Sequence, residues 1–265
     1  MEANKIYNMD CLDGMRLLED KSIDLTVTSP PYDNLRTYNG FQWDFEGIAK
    51  ELYRVTKDGG VVVWIVGDAT IKGSETGTSF RQALHFKEIG FNLHDTMIYE
   101  KDSAPFPGTN RYNQVFEYMF VFSKGKPKSV NIIKDRKNKC YDGKREIEGT
   151  KRRPDGSLLE RRKGILLKEY GARFNIWRFS AGHMKSTPDK IAYDHPAIFP
   201  EKLANDHIIS WSNEGDLVLD PFMGSGTTAK MAILNNRQYI GFELSAEYCE
   251  IAEKRVREAK EGKNG

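Results

Sequence analysis

The chain has 265 residues, of which 39% are hydrophobic and 11% aromatic, enough for one large α/β domain or one domain with an insertion. No apolar run approaches the roughly 20 residues that cross a membrane, and the first residues lack the apolar core of a secretory signal. Three widely spaced cysteines fit neither a disulfide framework nor a zinc cluster, so we expect a cytoplasmic protein without a metal site. The net charge of +2 conceals one strongly basic segment in an otherwise acidic chain.

Strands and helices alternate over residues 1–123. The run at 61–66 is nearly all β-branched, which is typical of a buried central strand. Strands separated by helices of this length predict a mostly parallel, twisted sheet with helices on both faces. The predicted strands are residues 5–7, 23–27, 61–66, 92–99 and 115–122, the last two paired with each other, and the predicted helices are residues 14–19, 45–55 and 79–89.

The strand at 23–27 should end abruptly at residues 28–32 (TSPPY). Two consecutive prolines fix φ and remove two backbone donors, and the first disfavours the α conformation at Ser29. The result is a rigid platform on which backbone carbonyls and the Ser29 hydroxyl point outward beside the flat ring of Tyr32. Acceptors next to an aromatic face suit a planar base with an exocyclic amino group. A plain turn at the end of a strand is the alternative.

The alternation stops at about residue 123, and residues 124–194 are polar, basic and rich in turn formers. This stretch is too long for an ordinary connection, so it predicts an insertion at 124–194 in a main domain of residues 1–123 and 195–265. Residues 124–168 contain 16 Lys and Arg against 6 Asp and Glu, a balance of +10 that leaves the remaining residues at −8. An acidic body with one basic segment indicates a polyanion on one surface, and a solvated lysine-rich loop is the alternative.

Beyond residue 195 the alternation resumes and includes a glycine turn, residues 220–228 (DPFMGSGTT). Gly224 and Gly226 allow a tight turn and close approach of the backbone to a ligand. Glu243 ends the next strand, where a carboxylate can bind both hydroxyls of a ribose. The pattern predicts an adenosine-type cofactor between adjacent strand ends. The predicted helices here are residues 200–211, 227–234 and 246–259, and the predicted strands are residues 216–220 and 238–242.

Other interpretations of this turn fit less well. A Walker A loop requires Gly-Lys-Ser/Thr, which the turn lacks. A dinucleotide-binding turn is compatible with Gly224, Gly226 and Ala229, but Asp220 would face a positive amine better than a pyrophosphate. The helix that follows is also nearly the last in the chain, which leaves no room for a second nucleotide half. A purely structural glycine turn would not account for Glu243.

These two motifs resemble those of amino-group DNA methyltransferases. Residues 220–228 resemble the S-adenosyl-L-methionine motif of that family, and residues 28–32 resemble its catalytic motif. Residues 8–11 (NMDC) resemble the segment whose acid contacts the cofactor's adenine, and residues 195–203 (HPAIFPEKL) resemble the segment that closes over the cofactor. Because the catalytic motif precedes the cofactor motif, the order resembles the circularly permuted β subgroup. The resemblance implies a Rossmann-like methyltransferase fold with an inserted target-recognition module.

The resemblance also implies a role for each matching position. Asp220 would bind the methionine amine of the cofactor, Phe222 would pack on its adenine, and Glu243 would bind its ribose. Residues 197–200 (AIFP) depart from the more usual Thr-Gln-Lys-Pro, which leaves the contacts of that segment open. The implied catalytic residues are Ser29, Pro30, Pro31 and Tyr32. The implied cofactor-binding residues are Asp10, Cys11, Phe199, Asp220, Pro221, Phe222, Gly224, Ser225, Gly226, Thr227 and Glu243.

The implied reaction is direct transfer of a methyl group to an exocyclic amine. Hydrogen bonds from the amine to Ser29 and to the Pro30 carbonyl would turn the nitrogen lone pair toward the methyl group, while Tyr32 would stack on the base. Ring-carbon methylation would need a cysteine after a proline, which this chain lacks. Serine at position 29 favours cytosine N4, with adenine N6 as the alternative. More distant alternatives are an RNA base, a protein glutamine, and a DNA-binding module without catalysis.

The expected partner is double-stranded DNA. A base inside a duplex must be flipped out to reach such a pocket, and the basic insertion is the candidate for binding phosphates and reading a groove. The candidate DNA contacts are Arg152, Arg153, Arg161 and Arg162. A cognate restriction endonuclease is a second candidate partner. No membrane partner is expected, and both a monomer and a homodimer are compatible with the sequence.

Overall fold

The computed structural model describes residues 1–31, 44–102, 110–146, 152–159, 164–182, 184–198 and 200–263. The chain divides into two compact units. The larger unit comprises Met1–Asn131 and Asn175–Gly265, and the smaller unit comprises Ile132–Phe174. No helix among the described residues is long and apolar enough to cross a membrane.

The larger unit is built on an eight-stranded sheet. Its strands in chain order are β1 (Lys5–Asn8), β2 (Ile23–Thr28), β3 (Thr56–Val66), β6 (Asn92–Lys101), β7 (Phe116–Ser123), β10 (Ile176–Phe179), β11 (Leu217–Asp220) and β12 (Gln238–Glu243). A two-stranded pair of β4 (Thr70–Ile71) and β5 (Ser74–Glu75) follows β3, and the smaller unit contains a second pair, β8 (Arg136–Lys137) and β9 (Tyr170–Gly171). The spatial order of the large sheet is β1-β12-β11-β2-β3-β7-β6-β10. Among these described strands, β7 alone runs antiparallel to its neighbours.

Both faces of this sheet are covered by helices, as the alternating pattern predicts. Along β3, Val61, Val63 and Ile65 belong to one apolar cluster and Val62 and Trp64 to the other, since successive side chains of a strand point to opposite faces. The first cluster includes residues of α4 (Glu201–Trp211), α5 (Thr227–Leu234) and α6 (Ala246–Lys263). The second includes residues of α1 (Cys11–Arg16), α2 (Phe45–Val55) and α3 (Thr78–Glu88). The predicted α/β fold with a mostly parallel sheet is confirmed.

Helix α2 illustrates how the sequence specifies these elements. Asp44 caps its first turn by accepting a hydrogen bond from the Gly47 amide at 2.9 Å. Its buried residues are Ile48, Ala49, Leu52 and Val55, a spacing that makes one apolar stripe on a helix. The helix therefore has the bounds that the spacing predicts, and α5 likewise spans the predicted 227–234.

The region predicted as an insertion at 124–194 is distributed over both units. Residues 132–174 form the smaller unit, whereas β10 at 176–179 adds a strand to the edge of the large sheet, parallel to β6. The sequence did not predict β10, because a four-residue edge strand in a polar segment carries too little periodicity. Within the smaller unit, Arg173 forms an ion pair with Asp135. The role of this region in target recognition stays a prediction.

Candidate active site

Four adjacent parallel strands bring the two predicted motifs to one edge of the sheet. β1, β12, β11 and β2 lie side by side, so their carboxyl ends share an edge. The Ser29 platform follows β2, the glycine turn follows β11, and Glu243 is the last residue of β12. Ligands of open α/β sheets bind outside these carboxyl ends. The geometry therefore assembles segments that are about 190 residues apart in the sequence.

A hydrogen bond joins the catalytic motif to the glycine turn. The hydroxyl of Thr28, the last residue of β2, donates to Asp220 Oδ1 at 2.6 Å. The Phe222 amide donates to the same oxygen at 3.0 Å. Asp220 Oδ2 is buried and has no hydrogen-bond partner among the described residues. A buried carboxylate oxygen without a donor is costly, so this atom is a candidate contact for a positively charged or N–H ligand.

The protonation of Asp220 is set mainly by burial. The residue is 1% exposed, and burial raises its pKa to about 6. The hydrogen bonds from Thr28 and Phe222 oppose this rise, as does the neighbouring Thr228, whose hydroxyl donates to the Val27 carbonyl at 3.1 Å. Asp220 is thus ionised at neutral pH, although less strongly than an exposed aspartate.

The Glu243 carboxylate closes the glycine turn. Its Oε2 accepts a hydrogen bond from the Gly224 amide at 2.8 Å, and its Oε1 accepts one from the Ser245 amide at 2.9 Å. Burial raises the pKa of Glu243 above its usual value, and these backbone donors oppose the rise. Because a carboxylate oxygen has two lone pairs, each oxygen can still accept a hydrogen bond from a ligand hydroxyl.

The two glycines of the turn serve different contacts. Gly224 has a φ of 51°, and a Cβ placed on it would lie 3.0 Å from His195 Nε2. Gly226 has a φ of 80°, and a Cβ placed on it would lie 2.7 Å from the Ala252 Cβ of α6. Gly226 is therefore required for the packing of the turn against α6, which is a structural reason that the sequence did not reveal.

The remaining predicted cofactor residues that the structure describes lie in this turn or at the start of α1. Asp10 caps α1 through its Oδ1, which accepts from the Leu12 amide at 2.8 Å. Cys11 is buried, and burial raises the pKa of its thiol to about 12, so it is an inert thiol at neutral pH. Phe222 is half-buried, with its ring centroid 6.3 Å from that of Trp64. Their contacts with a cofactor stay predictions, as do those of Pro221, Ser225 and Thr227.

The described part of the platform comprises Ser29, Pro30 and Pro31. Pro30 is buried, whereas Ser29 and Pro31 are half-buried. The predicted site residues Tyr32, Phe199, Arg161 and Arg162 lie outside the described residues. The two remaining candidate DNA contacts, Arg152 and Arg153, are exposed and belong to the smaller unit.

Two buried cations and two half-buried carboxylates behind the glycine turn were missed by the sequence analysis. Arg255 of α6 is fully buried and donates to the Ser225 carbonyl at 2.5 Å, to Asp189 Oδ2 at 2.8 Å and to Glu201 Oε1 at 2.7 Å. Lys230 of α5 donates to the same two carboxylates, at 2.7 and 2.8 Å. Burial alone would raise the pKa of Asp189, but hydrogen bonds from Lys230 and Arg255 outweigh it, so this pKa is lowered. The only signal in the sequence was a cation on the apolar side of each helix.

Replacement of Arg255 by methionine should destabilise the fold by about 1–3 kcal/mol, because the Ser225 carbonyl would lose its donor and Asp189 and Glu201 would keep only Lys230 as a cationic partner. Denaturant unfolding of Arg255→Met measures the loss. Arg257 lies two residues further along α6 and is exposed, so Arg257→Met is the matched control and should change stability by less than about 0.5 kcal/mol. Equal losses in the two variants would contradict a special role for the buried cluster.

Comparison with known proteins identifies the family of this site. The family model for DNA methylases (N6_N4_Mtase) matches residues 23–254. The chain belongs to this family. The orphan methyltransferase M.BamHII of Bacillus amyloliquefaciens is 71% identical over 238 residues, which cover 90% of this chain and 90% of that protein.

Solved structures share the fold of this DNA methylase. The PvuII DNA methyltransferase, described as cytosine-N4-specific, superposes with a TM-score of 0.70 at 21% identity, over 100% of this chain and 92% of that one. M1.HpyAVI in its complex with SAM superposes with a TM-score of 0.61 at 20% identity, over 95% of this chain and 98% of that one. The amino-methyltransferase resemblance of the two motifs is thus confirmed at the level of family and fold.

Proposed function

We propose that this DNA methylase transfers a methyl group from S-adenosyl-L-methionine to N4 of a cytosine that is flipped out of double-stranded DNA. The observation that carries the proposal is the 2.6 Å hydrogen bond between Thr28 and Asp220. It supports a site in which the acceptor platform at Ser29 begins next to the acid that would hold the methyl donor.

The residues at the strand ends fit this cofactor. Asp220 Oδ2 is a buried acceptor without a protein donor among the described residues, as an ammonium group of the methionine moiety would require. Glu243 keeps one acceptor site on each oxygen for the two ribose hydroxyls. When bound, S-adenosyl-L-methionine supplies a methyl group on a positively charged sulfur. Asp220 and Glu243 then bind and orient it, which is the main contribution that a protein makes to a displacement reaction.

The platform would act on the other reactant. The Ser29 hydroxyl and the Pro30 carbonyl would accept hydrogen bonds from the exocyclic amine, so that its lone pair is directed away from the base ring. Both groups are dipoles that carry no formal charge, and they would stabilise the positive charge that develops on nitrogen during transfer. The amine would take the methyl group as the bond from that carbon to sulfur breaks, which leaves the sulfur as a neutral thioether. The methylated nitrogen would then release one proton to solvent.

The choice of cytosine rests on Ser29. Family members with serine at this motif position mostly methylate cytosine N4, and those with aspartate mostly methylate adenine N6. The PvuII enzyme, which shares the fold, is described as cytosine-N4-specific. Adenine N6 is the alternative, since the family model covers both amino groups.

Mass spectrometry of nucleosides from DNA treated with the enzyme and isotope-labelled cofactor tests the proposal. We expect labelled N4-methylcytosine with the native chain and at least 100-fold slower labelling with Ser29→Ala. Labelled N6-methyladenine alone would overturn the cytosine assignment and keep the amino-methyltransferase activity. The absence of any labelled base from unmethylated genomic DNA would contradict the proposed function as a whole.

The smaller unit is the proposed DNA-reading element. Arg152 and Arg153 are exposed there, and guanidinium groups bind phosphates and guanine edges in a bidentate manner. A cognate restriction endonuclease would recognise the same sequence. Sequencing of modified bases in host DNA would identify both the target base and its sequence context.

A further inference from the structure

Thr28 is buried at the boundary between the two motifs but belongs to neither implied set of functional residues. It ends β2, is 0% exposed, and precedes Ser29 directly. Its hydroxyl donates to Asp220 at 2.6 Å, across two strands that are neighbours in the sheet. This is a side-chain contact between residues 192 positions apart, which makes it specific to the folded site.

The two oxygens of the Asp220 carboxylate differ in their hydrogen-bond partners. Oδ1 accepts two hydrogen bonds, from the Thr28 hydroxyl and from the Phe222 amide, so its position is fixed. Oδ2 has no described partner and is the oxygen left for a ligand. Because two donors hold Oδ1, rotation of the carboxylate is restricted, and the direction in which Oδ2 points is restricted as well.

We propose that Thr28 is a positioning residue for the methyl donor: its hydroxyl aims the Asp220 carboxylate and keeps it ionised, and so sets cofactor affinity and its pH dependence. The inference rests on the proposed function, in which Asp220 binds the amine of S-adenosyl-L-methionine. Thr28 itself touches neither reactant and acts through Asp220.

The groups that face Asp220 give the direction of the effect. Burial, and to a smaller extent the Glu243 charge on β12, raise the pKa of Asp220, while Thr28 on β2, Thr228 on α5 and the Phe222 amide lower it. Removal of the Thr28 donor therefore raises this pKa further. Since only the ionised carboxylate pairs with an ammonium group, cofactor affinity should then be lost at a higher pH than in the native chain.

A purely structural role for the hydrogen bond predicts something different. In that case the loss of the hydroxyl would lower the stability of the fold, while the folded molecules would bind cofactor with unchanged pH dependence. The pH profile of cofactor affinity therefore separates the two roles.

Thr26 offers a matched control on the same strand. It is also 0% exposed, it lies two residues before Thr28, and its hydroxyl has no hydrogen-bond partner among the described residues. Thr26→Val and Thr28→Val thus remove a buried hydroxyl at equal burial from the same face of β2. Thr28→Ser keeps the hydroxyl and should restore the native behaviour.

Titration calorimetry with S-adenosyl-L-methionine between pH 5.5 and 8.5 provides the test. We expect native affinity to decline below about pH 6, where Asp220 takes up a proton. In Thr28→Val the decline should begin about one pH unit higher, so affinity should fall roughly threefold at pH 6.5 and roughly eightfold at pH 5.5. Thr28→Ser and Thr26→Val should follow the native profile.

An unchanged profile in Thr28→Val, with normal folding by circular dichroism, would overturn the inference. A shifted profile in both valine variants would also overturn it, because the effect would then not depend on the contact with Asp220. If the native chain itself does not bind S-adenosyl-L-methionine at any pH, the proposed function fails first. The two failures are therefore distinguishable.

Discussion

Ser29→Ala should reduce methyl transfer at least 100-fold while it leaves cofactor affinity within about twofold of the native value. The reason is that the substitution removes one acceptor that would hold the target amine, and loss of a single such dipole typically costs 10²–10³ in rate. Asp220 and Glu243, the proposed cofactor acids, lie on other strands and are not altered. Single-turnover transfer to DNA with saturating cofactor measures the first quantity, and calorimetry measures the second.

The matched control for this variant is Ser22→Ala. Ser22 precedes β2 at the opposite end of the strand, where its hydroxyl donates to the Glu19 carbonyl at 2.7 Å. This substitution should leave both transfer and cofactor affinity unchanged. Native transfer rates in Ser29→Ala would remove Ser29 from the catalytic set. A large loss of cofactor affinity would instead assign it to the cofactor site.

The elements that position the site could be predicted because their signals are local. The β-branched run of β3, the apolar stripe of α2 and the glycines before α5 each lie within a short stretch of sequence. The position of residues 28–31 at the same sheet edge as residues 220–228 also follows from a general rule, since parallel strands place their carboxyl ends at one edge. The resemblance of these two segments to family motifs then predicted the reaction, methyl transfer to an exocyclic amine.

What the sequence could not give depends on packing between distant segments. Gly226 is adjacent to Ala252, and Arg255 bonds to Ser225, Asp189 and Glu201 at once, so their roles exist only in the folded chain. The Thr28 contact with Asp220 is of the same kind, because the sequence of β2 does not show which of its threonines faces a distant partner. The local sequence pattern around a residue predicts the helix or strand to which it belongs. Its contacts with distant residues can be predicted only when the order and register of the strands are known.

Asp220→Asn should weaken binding of S-adenosyl-L-methionine about 100-fold at pH 7.5. The asparagine keeps an oxygen that can accept from Thr28 and from the Phe222 amide, so the turn should retain its shape. It loses the negative charge at Oδ2, where a buried charged hydrogen bond to the proposed cofactor would contribute roughly 3 kcal/mol. Transfer at subsaturating cofactor should fall by the same factor, and saturating cofactor should recover part of it.

Although Asp220→Asn should weaken cofactor binding, it should raise the stability of the fold relative to the native chain as the pH rises. The folded pKa of Asp220 is raised to about 6 from an ordinary value of 3.8, so the folded state holds a proton that the unfolded state releases between these values. Its contribution to the free energy of unfolding therefore decreases as pH rises from about 4 to about 6, by up to about 3 kcal/mol. Asparagine does not titrate, so Asp220→Asn should gain stability relative to the native chain across this window.

Denaturant unfolding at pH 4, 5, 6 and 7 of the native chain and the variant measures this difference. Asp58→Asn is the control, because Asp58 is exposed near the beginning of β3, at the opposite edge of the sheet, and its pKa is lowered by the hydrogen bond from Lys21. This control should show no gain in the window and should bind cofactor normally. A variant Asp220→Asn that loses cofactor and also loses stability at every pH would indicate a collapsed turn. Lost affinity with stability gained above pH 5 would identify Asp220 as a residue kept for its ligand at the expense of the fold.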